Sequence, residues 1–344
     1  MIRRYFKKEI LLLIVGVSLL FSCSLLFPQP DENKITVMTY NVQNLFDCYD
    51  NGNEYPEFKS DGGWNCYLYN KRLETISQAI IQYCKTVPSI LLLQEVENSQ
   101  VIEDLITKHL GKWDFKYYVI TNDTFSPIQV AILSKYPIVQ TFNHAVLESR
   151  SVLECTVDIG GSLVTLFNIH AKSRIGGIKE TEAQRRESAY SIIVRCSEIL
   201  NKSPFHPIII GGDFNESVDS VYKDGSSFNH ALVPYGHPCA DEKSLIITGT
   251  APQKGHWYSW YLDKEAVLKA SANGSYCYNG IWESFDQLLL SSAFFDYYDL
   301  EFSCADVCYI SPLINEKGLP NTYNIKSGKG YSDHLPVTVT LKKL

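Results

Sequence analysis

Five short polar clusters, each at the end of an apolar run, constrain this chain more than any other feature of its sequence. They are Thr39-Tyr40-Asn41-Val42, Gln94-Glu95-Val96, Asn168-Ile169-His170, Gly212-Asp213-Phe214-Asn215 and Ser332-Asp333-His334-Leu335-Pro336. Each follows or closes a β-like stretch such as Ile90-Leu91-Leu92-Leu93 or Pro207-Ile208-Ile209-Ile210. In an α/β sheet, strand ends are where side chains distant in sequence converge on one crevice. Asn, Glu, His, Asp and a second His gathered there suit a hard divalent cation and a phosphate ester.

Between the clusters, the hydrophobic pattern switches between the two periods of regular structure. Residues 35–40 alternate like a half-buried strand, 89–93 read as a buried strand, and 69–84 place Leu73, Ile76, Ile80 and Tyr83 at helical spacing. Asn98 is positioned to cap a helix over 99–110 that Gly111 stops. From 115 to 169 the pattern is mostly strand, and Gly160-Gly161 turns 153–159 back into 163–169 as a hairpin. A long helix is predicted over 180–200, with strands over 207–210, 285–291 and 335–341. A loose helix near 228–232 and the aromatic stretch His256-Trp257-Tyr258-Ser259-Trp260-Tyr261 lie between them. Core packing is the simplest reading of that stretch; a stacking platform for bases and a lipid-contacting loop are the others. No repeat or long linker divides 35–344, which predicts one domain.

The formal charge is −7, and Arg3, Arg4, Lys7 and Lys8 against Glu9 give the first 22 residues +3, leaving −10 for the rest. So acidic a body argues against tight nucleic-acid binding driven by counterion release, though not against an enzyme that touches a phosphate chain briefly with a metal's help. The basic start, the apolar run 10–21 and Ser22-Cys23 have the layout of an export signal over 1–22 followed by a tether over 23–34. Leu20-Phe21-Ser22-Cys23 resembles the lipobox of bacterial lipoproteins, which implies lipidation at Cys23; the alternative is an uncleaved helical anchor, for which about 18 apolar residues suffice. Either reading places the body outside the cytoplasm, held to a membrane of the cell envelope. Of the remaining nine cysteines, Cys84, Cys155 and Cys196 fall in apolar segments and read as buried thiols. Cys48/Cys66, Cys239/Cys277 and Cys304/Cys308 sit in loop-like sequence open to oxidation.

Glu95, held at a strand end, suits Mg²⁺, an ion that prefers oxygen donors and keeps several waters. Asp213 and Asn215 flank Phe214 and so point the same way in extended backbone, where they can orient a water and a phosphoryl oxygen. Gly211-Gly212 lets the chain pass close to a ligand. His334 has the residue type of a base near neutral pH, with Asp286 as its orienting carboxylate; Asp333 is adjacent in sequence, and consecutive side chains diverge in a strand. His170 is the second histidine candidate, for phosphate binding or leaving-group protonation. Lys172 and Arg174 have two readings, a phosphate contact beyond His170 or a solvated loop. His109, His144, His206, His230, His237 and His256 read as surface or loop residues.

The five clusters in this order, together with Phe285-Asp286-Gln287-Leu288-Leu289-Leu290-Ser291, resemble the endonuclease/exonuclease/phosphatase superfamily, which includes pancreatic deoxyribonuclease, abasic-site endonucleases, bacterial sphingomyelinases and inositol-polyphosphate phosphatases. The resemblance implies a four-layer α/β sandwich over 35–344, with two mostly antiparallel mixed sheets packed face to face and flanked by helices. It implies Glu95 as main metal ligand, Asn41 as a metal-proximal amide and Asp333 as a second carboxylate on the metal side. It also implies Asp213 and Asn215 as the water- and phosphate-orienting pair, Asp286 with His334 as acid–base dyad, and His170 at the phosphate. Asn41-Val42-Gln43-Asn44-Leu45-Phe46-Asp47 and His170-Ala171-Lys172-Ser173 look like bacterial extracellular nuclease-type members, whereas the Pro-Trp-Cys-Asp-Arg signature of inositol phosphatases is absent. The expectation is therefore a monomeric phosphodiester hydrolase dependent on Mg²⁺ (with Mn²⁺ or Ca²⁺ as alternatives), acting on nucleic acid. A sphingomyelinase-like phospholipid hydrolase and a non-catalytic surface binding protein on the same scaffold are the rival readings.

Overall fold

The alternating segment at 35–40 and the Ile/Leu run at 90–93 become parallel neighbours, β1 (Lys34–Leu45) and β2 (Ile90–Val96), at the centre of one sheet. The computed structural model describes residues 33–224 and 228–344, so the expected signal peptide, Cys23 and most of the expected tether lie outside the described residues. The first sheet adds β3 (Tyr117–Ile120), β4 (Gln129–Ser134), β15 (Leu300–Val307) and β16 (Val337–Lys343), in the order β15-β16-β1-β2-β4-β3. The second is built from β5 (Ile138–Val146), β6 (Ser149–Ile159), β7 (Ser162–His170), β8 (Ile208–Asp213), β9 (Leu232–Pro234), β10 (Leu245–Thr248), β11 (Trp257–Tyr258) and β14 (Asp286–Leu290). Its order is β5-β6-β7-β8-β14-β11-β10-β9. A separate hairpin, β12 (Tyr276–Tyr278) and β13 (Ile281–Glu283), projects beside β14.

Both sheets are mixed, and their apolar inner faces share one core, in which Ile90 and Leu92 of β2 meet Leu166 of β7, Ile209 of β8 and Leu288 of β14. Helices α1 (Cys66–Gln78) and α2 (Ser99–Leu105) cover the outer face of the first sheet, with Leu73, Ile76, Val101 and Ile102 buried against it. Helix α3 (Ile178–Lys202) covers the second, packing Ala189, Ile192, Cys196 and Leu200 on Phe167, Ile208 and Ile210. Helix, sheet, sheet and helix make the four layers expected of the chain. Asn98 caps α2 by accepting from the Val101 N–H, as the sequence predicted. Among the described residues no helix is long and apolar enough to cross a membrane.

Two expectations change, and one choice among three readings is decided. The segment 228–232 forms no helix, because His230 and the N–H groups of Ala231 and Leu232 bond to buried carboxylates of Glu216 and Glu182 instead. The aromatic stretch is core, with Trp257, Tyr258 and Trp260 all buried. Cys84 is not a thiol but is bonded to Cys308, while Cys48–Cys66 forms as its loop setting allows. Cys304 and Cys308 lie along one strand direction, about 13 Å apart at ~3.4 Å per residue, too far to join. Cys277 and Cys304 keep free thiols.

Polar groups stitch the two sheets just beneath their shared end. Gln94 donates to Asn168 Oδ1 at 2.7 Å, and Asn168 donates to the carbonyls of Leu93 (3.0 Å) and Ala131 (2.8 Å). Close approach of strands there requires glycine: a Cβ on Gly212, whose φ is +129°, would stand 2.0 Å from the Ile169 carbonyl oxygen. Main chain cannot swing aside as a side chain can. Gly212→Ala is expected to destabilise the fold by roughly 1–3 kcal/mol from overpacking alone, with backbone strain added. A urea-unfolding midpoint equal to that of the wild type would contradict this packing.

Candidate active site

Strand register assembles the site. β7 and β8 run parallel with His170 opposite Asp213, and β8 pairs antiparallel to β14 with Asp213 opposite Asp286. Three candidate residues thus stand side by side at one end of the second sheet. On the first sheet Asn41 is opposite Gln94, and the ladder is then interrupted by a bulge at Glu95. Glu95 has φ +67°, a left-handed conformation rare for a residue with a side chain. A bulge re-aims the residue it carries. Here it turns the Glu95 carboxylate toward the second sheet, where it remains partly open to solvent.

Asn41 joins the two halves. Its Nδ2 donates to Glu95 Oε1 and to Asp213 Oδ2, both at 3.0 Å. Glu95 Oε2 accepts from the Asn44 N–H at 2.9 Å, and Asp213 Oδ1 from the Asn215 N–H at 2.8 Å. His170 Nε2 lies 3.7 Å from both Glu95 Oε1 and Asp213 Oδ2, and His334 Nε2 lies 3.8 Å from Asp213 Oδ2. Asp213 Oδ2 is therefore flanked by two imidazoles and one amide.

His334 Nδ1 bonds Asp286 Oδ2 at 2.8 Å, which leaves Nε2 facing the cluster. Ser275 Oγ donates to the same Asp286 oxygen at 2.5 Å, and the Tyr276 ring lies against the His334 ring at 4.7 Å between centroids. Ser332 Oγ donates to the Asn41 carbonyl at 2.8 Å and accepts from the His334 N–H, tying the last cluster of the chain to the first. The Asp333 N–H donates to Gln43 Oε1, so Asp333 stands on the Asn41–Glu95 side. Asn215 donates to the Ala171 carbonyl at 3.2 Å.

Burial and charge push these groups apart. Burial, joined by the Asp333 charge, raises the Glu95 carboxyl above its usual range. Burial also raises Asp213, to about 7, with His334 opposing and Asp286 assisting. His170 is held well below its normal value by burial and by the charges of Arg150 and His334, so its ring is neutral near pH 7. Burial would pull His334 down as well, but Asp286, Asp213 and Asp333 outweigh it and hold the imidazole well above its ordinary value. The two histidines are thus driven in opposite directions by their surroundings, as expected of groups with different roles.

The residues expected at the metal fit a hard divalent ion. Glu95, Asn41 and Asp333 offer oxygen donors on one side of the cluster, and Glu95 is more exposed than the buried Asp213. Asp213, Asp286 and His334 also approach one another closely, but there His334 Nδ1 is already engaged by Asp286.

Lys172 and Arg174 separate. The Lys172 side chain stays half-buried, with only its carbonyl fixed, by Arg185. Arg174 donates to the Asn215 carbonyl and Ser220 Oγ, pairs with Asp224 at 3.7 Å and lies over the Phe285 ring, which is the work of a loop clamp. Arg150, Ser275 and Tyr276 belong to the site without any sequence motif. Arg150 donates to the carbonyls of His170 and Ala171, and its charge acts on Glu95, Asp213 and His170. A cavity of about 450 Å³ between Phe205, His206 and Tyr298 shares no residue with the cluster.

Asn41→Ala is expected to cost about 1–3 kcal/mol, because it leaves a buried acceptor on Asp213 and a partly exposed one on Glu95 without their shared donor. Losing that donor raises the folded-state values of Glu95 and Asp213 further, and a raised carboxyl loses stability as pH rises through its folded value. In chelator, the extra cost of the variant should therefore be small at pH 5 and grow above the Asp213 value of about 7. An unfolding free energy that differs from wild type equally at pH 5 and pH 9 would contradict this.

A family model described as Endonuclease/Exonuclease/phosphatase family matches residues 36–226, more than half of the chain. No curated protein sequence gives a significant match. Among solved structures, truncated Caenorhabditis elegans TDP2 superposes with a TM-score of 0.54 at 17% identity, covering 90% of this chain and 97% of that one. D. rerio TDP2 complexed with single strand DNA product gives 0.52 at 15% identity, with 90% and 99% covered. The human Nocturnin catalytic domain with bound sulfate anion gives 0.52 at 16%, with 91% and 95% covered. At these identities the structural matches establish a shared fold.

Proposed function

The chain belongs to the endonuclease/exonuclease/phosphatase family, whose hydrolases act on phosphodiester bonds, and on that premise we propose that it is a metal-dependent phosphodiesterase that cleaves nucleic acid. The observation that carries the reading is the pairing of His334 with Asp286 across from the Asn41-bridged carboxylates of Glu95 and Asp213. A base, its orienting carboxylate and a cation-binding group face one another over a few ångströms, as in-line attack on phosphorus requires.

In this reading His334, oriented through Nδ1, takes the proton of the attacking water at Nε2. Asp213, with Nε2 of His334 beside its Oδ2, accepts the water's other hydrogen bond, and Asn215 orients a phosphoryl oxygen. Neutral His170 donates a hydrogen bond to a non-bridging oxygen, and Lys172 reaches the phosphate chain beyond it. Mg²⁺, held by Glu95 with Asn41 and Asp333 beside it, would supply positive charge to the phosphoryl oxygens and offset the carboxylate field that keeps His334 protonated. The D. rerio TDP2 structure is complexed with single strand DNA product, which supports nucleic acid as the substrate class. A phospholipid substrate loses its best sequence argument, since Trp257, Tyr258 and Trp260 are core residues rather than an exposed loop. A purely binding scaffold has no physical reason to keep so many buried carboxylates together. We further propose export and membrane attachment through residues 1–34, by a lipid on Cys23 or by a helical anchor, with the body acting as a monomer in the envelope.

Residues 35–344 should cleave DNA, RNA or a generic phosphodiester with Mg²⁺ and stop in chelator, and Glu95→Gln should weaken the Mg²⁺ dependence while the protein stays folded. Preference for sphingomyelin over every nucleic acid tested would replace the substrate class. Loss of His334 should cost on the order of 10²–10⁴ in single-turnover rate, the scale of general acid–base catalysis. The double variant His334→Ala/Asp286→Ala should be hardly slower than His334→Ala, because the pair acts as one unit. Multiplicative losses would remove Asp286 from the dyad.

A further inference from the structure

Behind the reacting centre lies a second group of ionisable side chains, all buried: Glu182 and Arg185 on α3, Glu216 one residue past Asn215, and His230 just before β9. The sequence reads His230 as a surface or loop residue; it lies in irregular chain, as a loop residue does, but is fully enclosed. Its Nδ1 meets Glu216 Oε1 at 2.6 Å, and Glu216 Oε2 accepts from the Leu232 N–H at 3.0 Å. Glu182 Oε1 accepts from the Ala231 N–H at 2.8 Å, and its Oε2 takes a forked contact from Arg185 Nε (2.8 Å) and Nη2 (2.6 Å).

Glu182, Glu216 and His230 lie close enough to suggest a metal site. The partners argue otherwise. Every carboxylate oxygen already accepts an N–H, and Arg185 supplies the cation, beside which a divalent ion would meet like charge. Burial, with the Glu216 charge, raises the Glu182 carboxyl to about 7 against the opposing charges of Arg185 and His230, and buried ionisable groups of this kind are tolerated only while their partners stay in place. Burial alone would favour a neutral His230, but Glu216, Glu182 and Asp224 outweigh it and raise its value.

This cluster grips both catalytic loops. Arg185 Nη1 donates to the Lys172 carbonyl at 3.1 Å, two residues past His170. Glu216 adjoins Asn215, which sits at φ +49°. Asparagine reaches that conformation more readily than other residues with a side chain, and it is the surroundings that keep it in that one conformation. We propose that the Glu182–Arg185–Glu216–His230 cluster is a positioning device for the phosphodiesterase site, in which His230, through Glu216, holds Asn215 in its left-handed conformation and so aims its side chain. The inference rests on the phosphodiesterase reading only for its kinetic test.

The experiment compares His230→Gln, Asn215→Ala and the double variant with wild type, using bis(p-nitrophenyl) phosphate and Mg²⁺. His230→Gln should lose roughly 10–100-fold in kcat, the scale of a misplaced reacting group, with KM little changed. If His230 acts through Asn215, the double variant should be no slower than Asn215→Ala within about twofold. Wild-type turnover in His230→Gln, or losses that multiply, would overturn the proposal. Glu216→Gln runs through the same cycle as a second variant; failure of both to fold would assign the cluster to stability alone and overturn it too. The crystal structure of the variant is a readout independent of turnover: Asn215 should leave φ near +49°, and an unchanged loop would refute the positioning role. A wild type that cleaves no phosphodiester would instead sink the phosphodiesterase reading, while the loop conformation would still decide this one.

Discussion

One amide holds the site together. Asn41, on the first sheet, donates both Nδ2 protons, to Glu95 on its own sheet and to Asp213 on the other. Without it the partly exposed Glu95 and the buried Asp213 would face each other across the gap between sheets, and like charges at such separations raise each other's cost in a low-dielectric setting. Glycines at 211 and 212, the Gln94–Asn168 contact and the bulge at Glu95 all serve to bring those two sheet ends within reach of one short side chain.

Positive charge reaches the site indirectly. Among the described residues, four buried or half-buried arginines donate to main-chain carbonyls of the loops around the candidate site: Arg72 to Val42, Gln43 and Tyr331, Arg150 to His170 and Ala171, Arg174 to Asn215, and Arg185 to Lys172. These bonds satisfy backbone acceptors that loops at a sheet end would otherwise leave unpaired. They also place positive charge near Glu95, Asp213 and Asp333 without forming a close ion pair with any of them. The carboxylates remain available to a cation while the loops stay fixed.

The sequence exposed what the strands carry and hid what the loops do. Glu95, His170, Asp213 and Asp286 were legible because each closes or opens an apolar run, and strand register then sets them together. His334 with Asp286 was legible because neighbours in an extended chain diverge, which excluded Asp333. Arg150, Ser275 and Tyr276 were not, since their roles depend on tertiary neighbours and no local pattern marks them. The burial of His230 was hidden for the same reason: its charge partners, Glu182 and Glu216, are 48 and 14 residues away in sequence. That network also dissolved the helix expected at 228–232. The cysteine at 84 looked like core, and only the fold brings it to Cys308.

The family match ends at residue 226, yet Asp286 and His334 complete the site from beyond it, so the proposed chemistry depends on how the whole body closes. The central claim is that the cation sits on the Glu95 side and leaves the His334–Asp286 pair intact. Anomalous diffraction from crystals soaked in Mn²⁺ tests it most directly. The expected result is a peak bound by Glu95, beside Asn41 and Asp333, with His334 Nδ1 still bonded to Asp286. A peak held instead by Asp213, Asp286 and a reoriented His334, or by Glu182, Glu216 and His230, would contradict the account.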